Sequence, residues 1–208
     1  MSDVPGNTND SKAQKHQRAM EKTKQKVDAN IAQAQTEQSV VVLLTGNGKG
    51  KTSSAFGMVM RALGYGQKVV VIQFIKGEQL SGEELFVKNH LPEVAFHQMG
   101  TGFTWDTQNR DSDQAAAVAT WQLALAALRD GQYDLVVLDE LTYMLAFDYL
   151  AEDQIIDAIQ QRPTHQSVVI TGRGGGSELK AICDTVSEVK DIKHAFNSGI
   201  KARKGVDY

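Results

Sequence analysis

Cysteine is nearly absent from this chain of 208 residues, in which Cys183 is the only one. A single thiol excludes an intramolecular disulfide and a cysteine-rich metal site, and it is typical of proteins from a reducing compartment. Long apolar runs are also missing, since none approaches the roughly 20 residues that a membrane helix needs. The polar first thirty residues lack the apolar stretch of a secretory signal. These absences predict a cytoplasmic protein with no membrane span.

An excess of positive charge is lacking as well, because the net charge is −3 and the isoelectric point lies near 5.9. Sequence-independent binding to nucleic acid depends on a positive field, so no nucleic-acid partner is expected. The one basic stretch runs from Lys12 to Lys26. Its composition fits a solvated helix or a frayed tail, and it also fits a basic segment that folds over an anionic ligand.

Large apolar residues are scarce in residues 1–39, where Gln, Lys, Asn and Ala dominate. Such a segment cannot form a core by itself, so we predict a flexible or helical N-terminal arm. The core begins abruptly at Val40, the first of a run of apolar residues. We interpret residues 40–208 as one globular domain, which at this length can bury about 70% of the surface of the unfolded chain.

Short β-branched runs alternate with helix-like segments through this domain. Runs that are apolar on both faces are typical of parallel strands, and their alternation with helices implies right-handed βαβ units. The predicted strands, in chain order, are 40–44, 69–75, 94–97, 135–139, 168–171 and 185–189. The predicted helices are 53–63, 113–129 and 152–161. We therefore expect an α/β fold of the P-loop NTPase-like (RecA-like) class: a mostly parallel sheet with helices on both faces, plus the N-terminal helical arm.

A glycine-rich loop joins the first predicted strand to the first predicted helix, which is the context that a phosphate-binding P-loop requires. Its glycines let backbone N–H groups converge on one point, where the helix N-terminus adds partial positive charge. Lys51 adds a full charge, and Thr52 can give its hydroxyl to the Mg²⁺ that accompanies a nucleotide. The predicted ATP-binding residues are Gly46, Asn47, Gly48, Lys49, Gly50, Lys51, Thr52 and Ser53.

The loop departs from the usual spacing at one position, where Thr45 stands in place of a glycine. Counted from Gly46, it is one residue shorter than the common pattern. A shorter loop encloses phosphates differently, so the direction in which the nucleotide lies cannot be copied from ordinary P-loop hydrolases.

Two carboxylates, Asp139 and Glu140, close the fourth predicted strand. In P-loop folds an acidic residue at this place lies beside the magnesium ion. We predict Asp139 as a metal partner through water, and Glu140 as a metal ligand or as the group that polarises water in a hydrolase. Arg173 follows the fifth predicted strand, where it can reach phosphate oxygens, although the adjacent glycines also suit a plain loop. Lys51, Glu140 and Arg173 are the predicted catalytic residues.

Two large aromatic residues, Phe103 and Trp105, lie in a loop of glycines and polar residues after the third predicted strand. Aromatic side chains in a loop that faces a ligand can pack on a large flat molecule. The same residues can instead pin the loop to the core. This stretch alone leaves both interpretations open.

Five sequence blocks together resemble one enzyme family, the P-loop class of ATP:corrinoid adenosyltransferases. One block is the aromatic loop, residues 100–110. The other four are residues 46–52 (GNGKGKT), 73–77 (QFIKG), 139–143 (DELTY) and 193–196 (KHAF). The resemblance runs from about Val27 to Tyr208, while the extreme N-terminus is unmatched and residues 174–176 form a more flexible stretch than the family pattern leads us to expect.

The resemblance implies a reaction between ATP and a reduced corrinoid, either cobalamin or a precursor. The cobalt in its Co(I) state would attack the 5′ carbon of ATP, and inorganic triphosphate would leave. Phe103 and Trp105 would lie beneath the corrin ring and displace the lower axial ligand, which makes Co(II) easier to reduce. The implied cofactor is Mg²⁺, with Mn²⁺ as an alternative. The family also implies a homodimer, an arm that folds over the corrinoid, and an electron-donating reductase of the flavodoxin-like kind.

Two rival functions fit the phosphate loop without the resemblance. One is a RecA-like ATPase that couples hydrolysis to movement of a partner, and the other is a nucleotide-binding regulatory module without catalysis. The products of the reaction distinguish them, because adenosyl transfer yields triphosphate, hydrolysis yields ADP and phosphate, and a regulatory module yields neither.

Overall fold

A computed structural model describes residues 8–75, 80–100, 110–174 and 176–208. The chain divides into two units, Met1–Gln38 and Ser39–Tyr208. Phe103 and Trp105, the aromatic residues predicted to face the corrinoid, lie outside the described residues.

The first unit contains one long helix, α1 (Thr8–Gln33). Its large apolar side chains are widely spaced and exposed: Met20, Val27 and Ile31 each have 48% or more of their surface accessible. The predicted N-terminal arm is thus helical over Thr8–Gln33. Nowhere in the described part of the chain is a helix both long enough and apolar enough to cross a membrane.

The second unit is built on a six-stranded sheet. Its strands are β1 (Val41–Thr45), β2 (Val69–Gln73), β3 (Ala95–Gln98), β4 (Leu135–Asp139), β5 (Ser167–Thr171) and β6 (Thr185–Glu188). They lie in the order β3-β2-β4-β5-β1-β6, and every pair is parallel. The predicted fold class is confirmed, with a sheet that is wholly parallel in the described residues. The carboxyl ends of β1, β2, β3, β4 and β5 consequently share one edge, which is where ligands bind in such folds.

Helices cover both faces of the sheet. They are α2 (Lys51–Gly64), α3 (Gly82–His90), α4 (Arg110–Arg129), α5 (Thr142–Ala146), α6 (Glu152–Gln160) and α7 (Ser177–Ile182), followed by a 3-10 turn at Ala195–Ser198. Alternate strand residues enter different cores: Val71 and Val137 pack with α2, whereas Ile72 and Leu138 pack with α4 and α6. Trp121 of α4 is buried in the second of these cores.

Three short helices, α3, α5 and α7, are absent from the sequence prediction. The first of them carries a recognisable start signal, because the Ser81 side chain accepts a hydrogen bond from the N–H of Glu84 at 3.1 Å. A serine followed three residues later by glutamate is typical of a helix N-terminus. The other two helices have only five and six residues, too few for a periodic pattern to distinguish them from loops.

Some predicted boundaries also differ from the structure. Helix α4 begins at Arg110 instead of residue 113, and Asp111 lies in its first turn. An acidic residue there is favoured by the helix dipole. Strand β2 ends at Gln73 instead of Ile75, because the neighbouring strand β4 ends opposite it at Asp139.

Candidate active site

The glycine-rich loop predicted to bind phosphate, residues 46–50, is called the phosphate loop here. It lies between the carboxyl end of β1 and the first turn of α2, as predicted. Gly46 and Gly50 adopt φ angles of 99° and 110°, left-handed conformations that favour glycine. Gly48 donates its N–H to the Val189 carbonyl at 2.8 Å. A β-carbon on Gly48 would lie 2.6 Å from the carbonyl oxygen of Lys190. The loop needs glycine there because the chain that follows β6 packs directly against it.

Lys51 is the first residue of α2, and only 5% of its surface is exposed. Its Nζ donates to the carbonyl of Gly48 at 2.9 Å, so the ammonium group lies within the turn of the loop. Burial lowers the pKa of Lys51, while the nearby Glu140 carboxylate acts in the opposite direction. An anion bound in the loop would favour the charged lysine, which makes this side chain a suitable partner for phosphate.

Asp139 lies at the end of β4 and is fully buried. Its Oδ1 accepts hydrogen bonds from the hydroxyls of Thr52 at 2.9 Å and Thr171 at 2.7 Å. Its Oδ2 accepts one from the side-chain amide of Gln73 at 2.8 Å. Burial raises the pKa of Asp139, and these three hydrogen bonds oppose that rise. The carboxylate therefore ties the phosphate loop to the ends of β2 and β5.

Glu140, the next residue, has an unusual backbone and an unusual side chain. Its φ is 58°, a conformation that costs free energy in any residue with a β-carbon. Its N–H donates to the Thr171 hydroxyl at 2.9 Å, whereas Oε2 is buried without a hydrogen-bond partner among the described residues. Burial, together with the charge of Asp139, raises the pKa of Glu140 to about 7. Strained backbones and perturbed carboxyl groups are concentrated at functional sites.

Arg173 and Thr45 connect the loop after β5 to the rest of the site. The guanidinium of Arg173 lies within electrostatic reach of both Glu140 and Lys51, since its charge lowers the pKa of each. The Arg173 carbonyl accepts a hydrogen bond from the Thr142 hydroxyl at 3.0 Å. Thr45, which replaces the usual glycine, donates its hydroxyl to the Gly174 carbonyl at 2.9 Å. The unusual residue thus fastens the start of the phosphate loop to the loop that carries Arg173.

The remaining predicted loop residues lie at the surface, where Lys49 and Ser53 contact acidic side chains. Lys49 forms an ion pair with Asp207 at 2.8 Å, and the hydrogen bond from Lys49 lowers the pKa of Asp207. The Ser53 hydroxyl donates to Glu83 at 3.3 Å. Asn47 is exposed. Contact of these residues with nucleotide stays a prediction.

The sequence model of the ATP:corrinoid adenosyltransferase family BtuR/CobO/CobP matches residues 37–208. This chain belongs to that family. The match spans the phosphate loop, the Asp139–Glu140 pair and the segment that carries Phe103 and Trp105. The predicted enzyme class, a transferase that acts on a corrinoid with ATP, is therefore confirmed over a RecA-like ATPase and over a regulatory module without catalysis.

Individual relatives agree with the family match. The chain is 50% identical to a corrinoid adenosyltransferase of Escherichia coli K12 over 195 residues, which cover 94% of this chain and 98% of the relative. It is also 50% identical to corrinoid adenosyltransferase CobA of Salmonella typhimurium, with the same coverage. A corrinoid adenosyltransferase of Pseudomonas aeruginosa is 50% identical over 202 residues, which cover 97% of this chain and all of the relative.

Among solved structures, the KaiC-like protein PH0186 of Pyrococcus horikoshii aligns with 75% of this chain and 74% of its own. The TM-score is 0.37 and the sequence identity is 13%.

The described residues suit a magnesium ion only in part. No group of three or more His, Cys, Asp or Glu side chains among them is arranged to hold a metal. Magnesium does not need such a group when it accompanies a nucleotide, because it then keeps several waters and binds phosphate oxygens. The Thr52 hydroxyl and the unpaired Oε2 of Glu140 are the oxygens that fit this role.

No role in the site is predicted from the sequence for three polar residues that contact the site or its neighbours: Gln73, Gln98 and Thr171. Each is the last residue of its strand. Because the carboxyl ends of parallel strands meet at one edge, polar residues in these positions were a signal that could have been used.

Proposed function

We propose that the enzyme forms a bond between the cobalt of a reduced corrinoid and the 5′ carbon of ATP. The electron pair of Co(I) attacks that carbon, the bond from the carbon to its oxygen breaks, and inorganic triphosphate leaves with the bonding electrons. The cobalt becomes formally Co(III), so charge and atoms balance. The family match across residues 37–208 is the observation that carries this proposal.

The leaving triphosphate determines what the protein must supply. Co(I) is itself a strong nucleophile, so no side chain has to act as a base. The chain has to align the two reactants, stabilise the negative charge of the leaving group and keep water from the phosphates. Buried Lys51 supports the second role, since its ammonium group lies inside the loop. Arg173 supports it from the opposite loop through its long-range charge.

The fit of Thr52 and Glu140 supports Mg²⁺, or Mn²⁺, as the cofactor. When bound, the ion would neutralise part of the charge on the triphosphate. Thr52 would offer its hydroxyl oxygen and Glu140 its unpaired Oε2, while Asp139 would hold Thr52 in place through their hydrogen bond. Asp139 is fully buried and its oxygens accept hydrogen bonds from three side chains, which supports a role in holding Thr52.

The family resemblance supports a corrinoid-binding role for Phe103 and Trp105. We propose that these aromatic side chains cover the lower face of the ring and displace the axial ligand there. Without that donor, the orbital that accepts the extra electron is lower in energy, and Co(II) is reduced more easily. The same resemblance leads us to propose a homodimer, a flavodoxin-like electron donor and a cytoplasmic location.

Product analysis tests the proposal. The protein is incubated with ATP, Mg²⁺ and a corrinoid that has been chemically reduced to Co(I). We expect inorganic triphosphate and an adenosylated corrinoid in equal amounts, the second measured by its alkyl-cobalt absorption spectrum. ADP and phosphate would instead indicate an ATPase, and an absence of turnover would indicate a binding module. Sedimentation of the same preparation tests the homodimer.

A further inference from the structure

A chain of side-chain hydrogen bonds leads from the phosphate loop into the protein. It begins where the Thr52 hydroxyl donates to Oδ1 of Asp139, and the Gln73 amide donates to the other oxygen, Oδ2. The carbonyl oxygen of Gln73 accepts from Nε2 of Gln98 at 2.7 Å. The same Nε2 donates to Oε2 of Glu84 at 2.9 Å. Five side chains from α2, β4, β2, β3 and α3 are thus connected.

The sheet register explains why these residues meet. Gln73 is opposite Asp139 on one side and opposite Gln98 on the other. Side chains in register on neighbouring strands project from the same face. The three residues therefore form a row across the carboxyl edge of the sheet, and α3 places Glu84 at the end of that row.

Each member of the chain fixes the orientation of the next. Glu84 is 1% exposed and pairs with the Lys88 ammonium at 2.6 Å, and an ionised carboxylate can only accept hydrogen bonds. Gln98 must therefore turn its NH₂ toward Glu84, and that NH₂ also reaches Gln73. Gln73 must then present its oxygen to Gln98, which leaves its own NH₂ for Asp139.

The donor-to-acceptor direction of these hydrogen bonds decides whether the Thr52 hydroxyl can donate to a bound nucleotide or only accept. A hydroxyl has one hydrogen, and in Thr52 this hydrogen is held by Asp139. Toward a bound nucleotide, Thr52 can consequently act only as an acceptor, which is what a metal ligand must be. If Asp139 were turned away, the same hydroxyl could instead donate to a phosphate oxygen and would no longer favour the metal.

We propose that Glu84, Gln98 and Gln73 form a directional relay that positions Asp139, so that the Thr52 oxygen faces the metal ion of the nucleotide. Gln73 and Gln98 are positioning residues in this scheme. The inference rests on the proposed function, in which triphosphate binds with a divalent cation.

The test measures ATP affinity by titration calorimetry, once with excess Mg²⁺ and once with EDTA. The quantity of interest is the ratio of the two dissociation constants. We expect Gln73→Met to reduce the gain from Mg²⁺ by about tenfold, as for loss of one hydrogen bond to a charged group. ATP affinity in EDTA should not fall by more than about twofold, because a Thr52 hydroxyl released by Asp139 can still donate to a phosphate oxygen. Gln98→Met should shift the ratio in the same direction by a smaller factor.

Gln122→Met is the matched control, since it makes the same chemical change at an exposed position on α4 and should leave the ratio unchanged. If Gln73→Met does not fold, Gln98→Met decides, because it leaves the contact with Asp139 in place. Equal weakening of ATP binding with and without Mg²⁺ would mean a merely structural role and would overturn the relay. The relay would also be overturned if the folded variants had the same ratio of dissociation constants as the wild-type protein, or if that ratio were one in the wild-type protein. Failure of the proposed function is recognised separately, because the product assay would then yield ADP in place of triphosphate.

Discussion

Replacing Glu140 by glutamine isolates the free-energy cost of one buried charge. The carboxyl group is buried beside Asp139, and its Oε2 has no hydrogen-bond partner among the described residues. Glutamine has nearly the same shape and keeps the β-carbon, so the strain of the left-handed backbone at φ 58° is the same in both proteins. The substitution therefore changes charge with little change in packing.

The structure gives the size and sign of the effect. Folding raises the pKa of Glu140 from 4.5 to about 7. Below pH 4.5 the group is protonated in both states, and its charge does not affect stability. As the pH rises from 4.5 to 7, the unfolded chain loses the proton first, so the folded protein becomes less stable. Above pH 7 the cost is complete at about 3 kcal/mol, because one pKa unit is worth about 1.4 kcal/mol.

Urea unfolding of the ligand-free protein measures this cost. We expect Glu140→Gln to stabilise the protein by about 3 kcal/mol at pH 8.5 and by less than about 1 kcal/mol at pH 5. The slope of free energy against urea should be unchanged, since the same surface is exposed on unfolding. The variant should also lose adenosyltransferase activity if Glu140 faces the metal.

Glu93→Gln is the control, because Glu93 is exposed between α3 and β3 and the same neutralisation should change stability little at either pH. The reasoning is refuted if Glu140→Gln has the same effect at pH 5 and pH 8.5. A pH-independent effect would mean that packing, not charge, distinguishes the two side chains.

Two further predictions concern the loops. Gly48→Ala should destabilise the protein by about 1–3 kcal/mol and weaken ATP binding, because the added carbon would lie 2.6 Å from the Lys190 carbonyl oxygen; Gly57→Ala, in an exposed part of α2 with open space around it, should instead be neutral or stabilising in thermal unfolding. The double variant of Phe103→Ala and Trp105→Ala should reduce the rate from Co(II) much more than the rate from pre-reduced Co(I), and equal losses in both assays would contradict the proposed role.

Much of the fold could be predicted because its signals are local. Four of the six strands, β1, β2, β4 and β5, are short and mainly apolar runs, and the glycines of the phosphate loop follow the first of them without interruption. Asp139 could be found in the same way, since it ends a strand that is buried along its whole length. These features depend on residues that are neighbours in the sequence, where periodicity and turn chemistry apply directly.

The rest of the site depends on residues that are distant in sequence. Nothing beside Lys49 indicates that it pairs with Asp207, near the end of the chain. Likewise, only the strand order brings Gln73 next to Asp139 and Gln98 next to Gln73. Pattern analysis identifies strands, but the order and register of a parallel sheet follow from how all the helices pack on it.

The buried charges of the site suggest why nucleotide and cation would bind together. Burial opposes the charged form of Lys51 and also the charged forms of Asp139 and Glu140. A triphosphate alone would stabilise the charged form of Lys51, but it would bring further negative charge toward the two carboxylates. A cation alone would stabilise the charged carboxylates, but it would bring further positive charge toward the buried ammonium group of Lys51. Nucleotide and cation together would compensate all three side chains, which supports the proposal that ATP binds with a divalent cation.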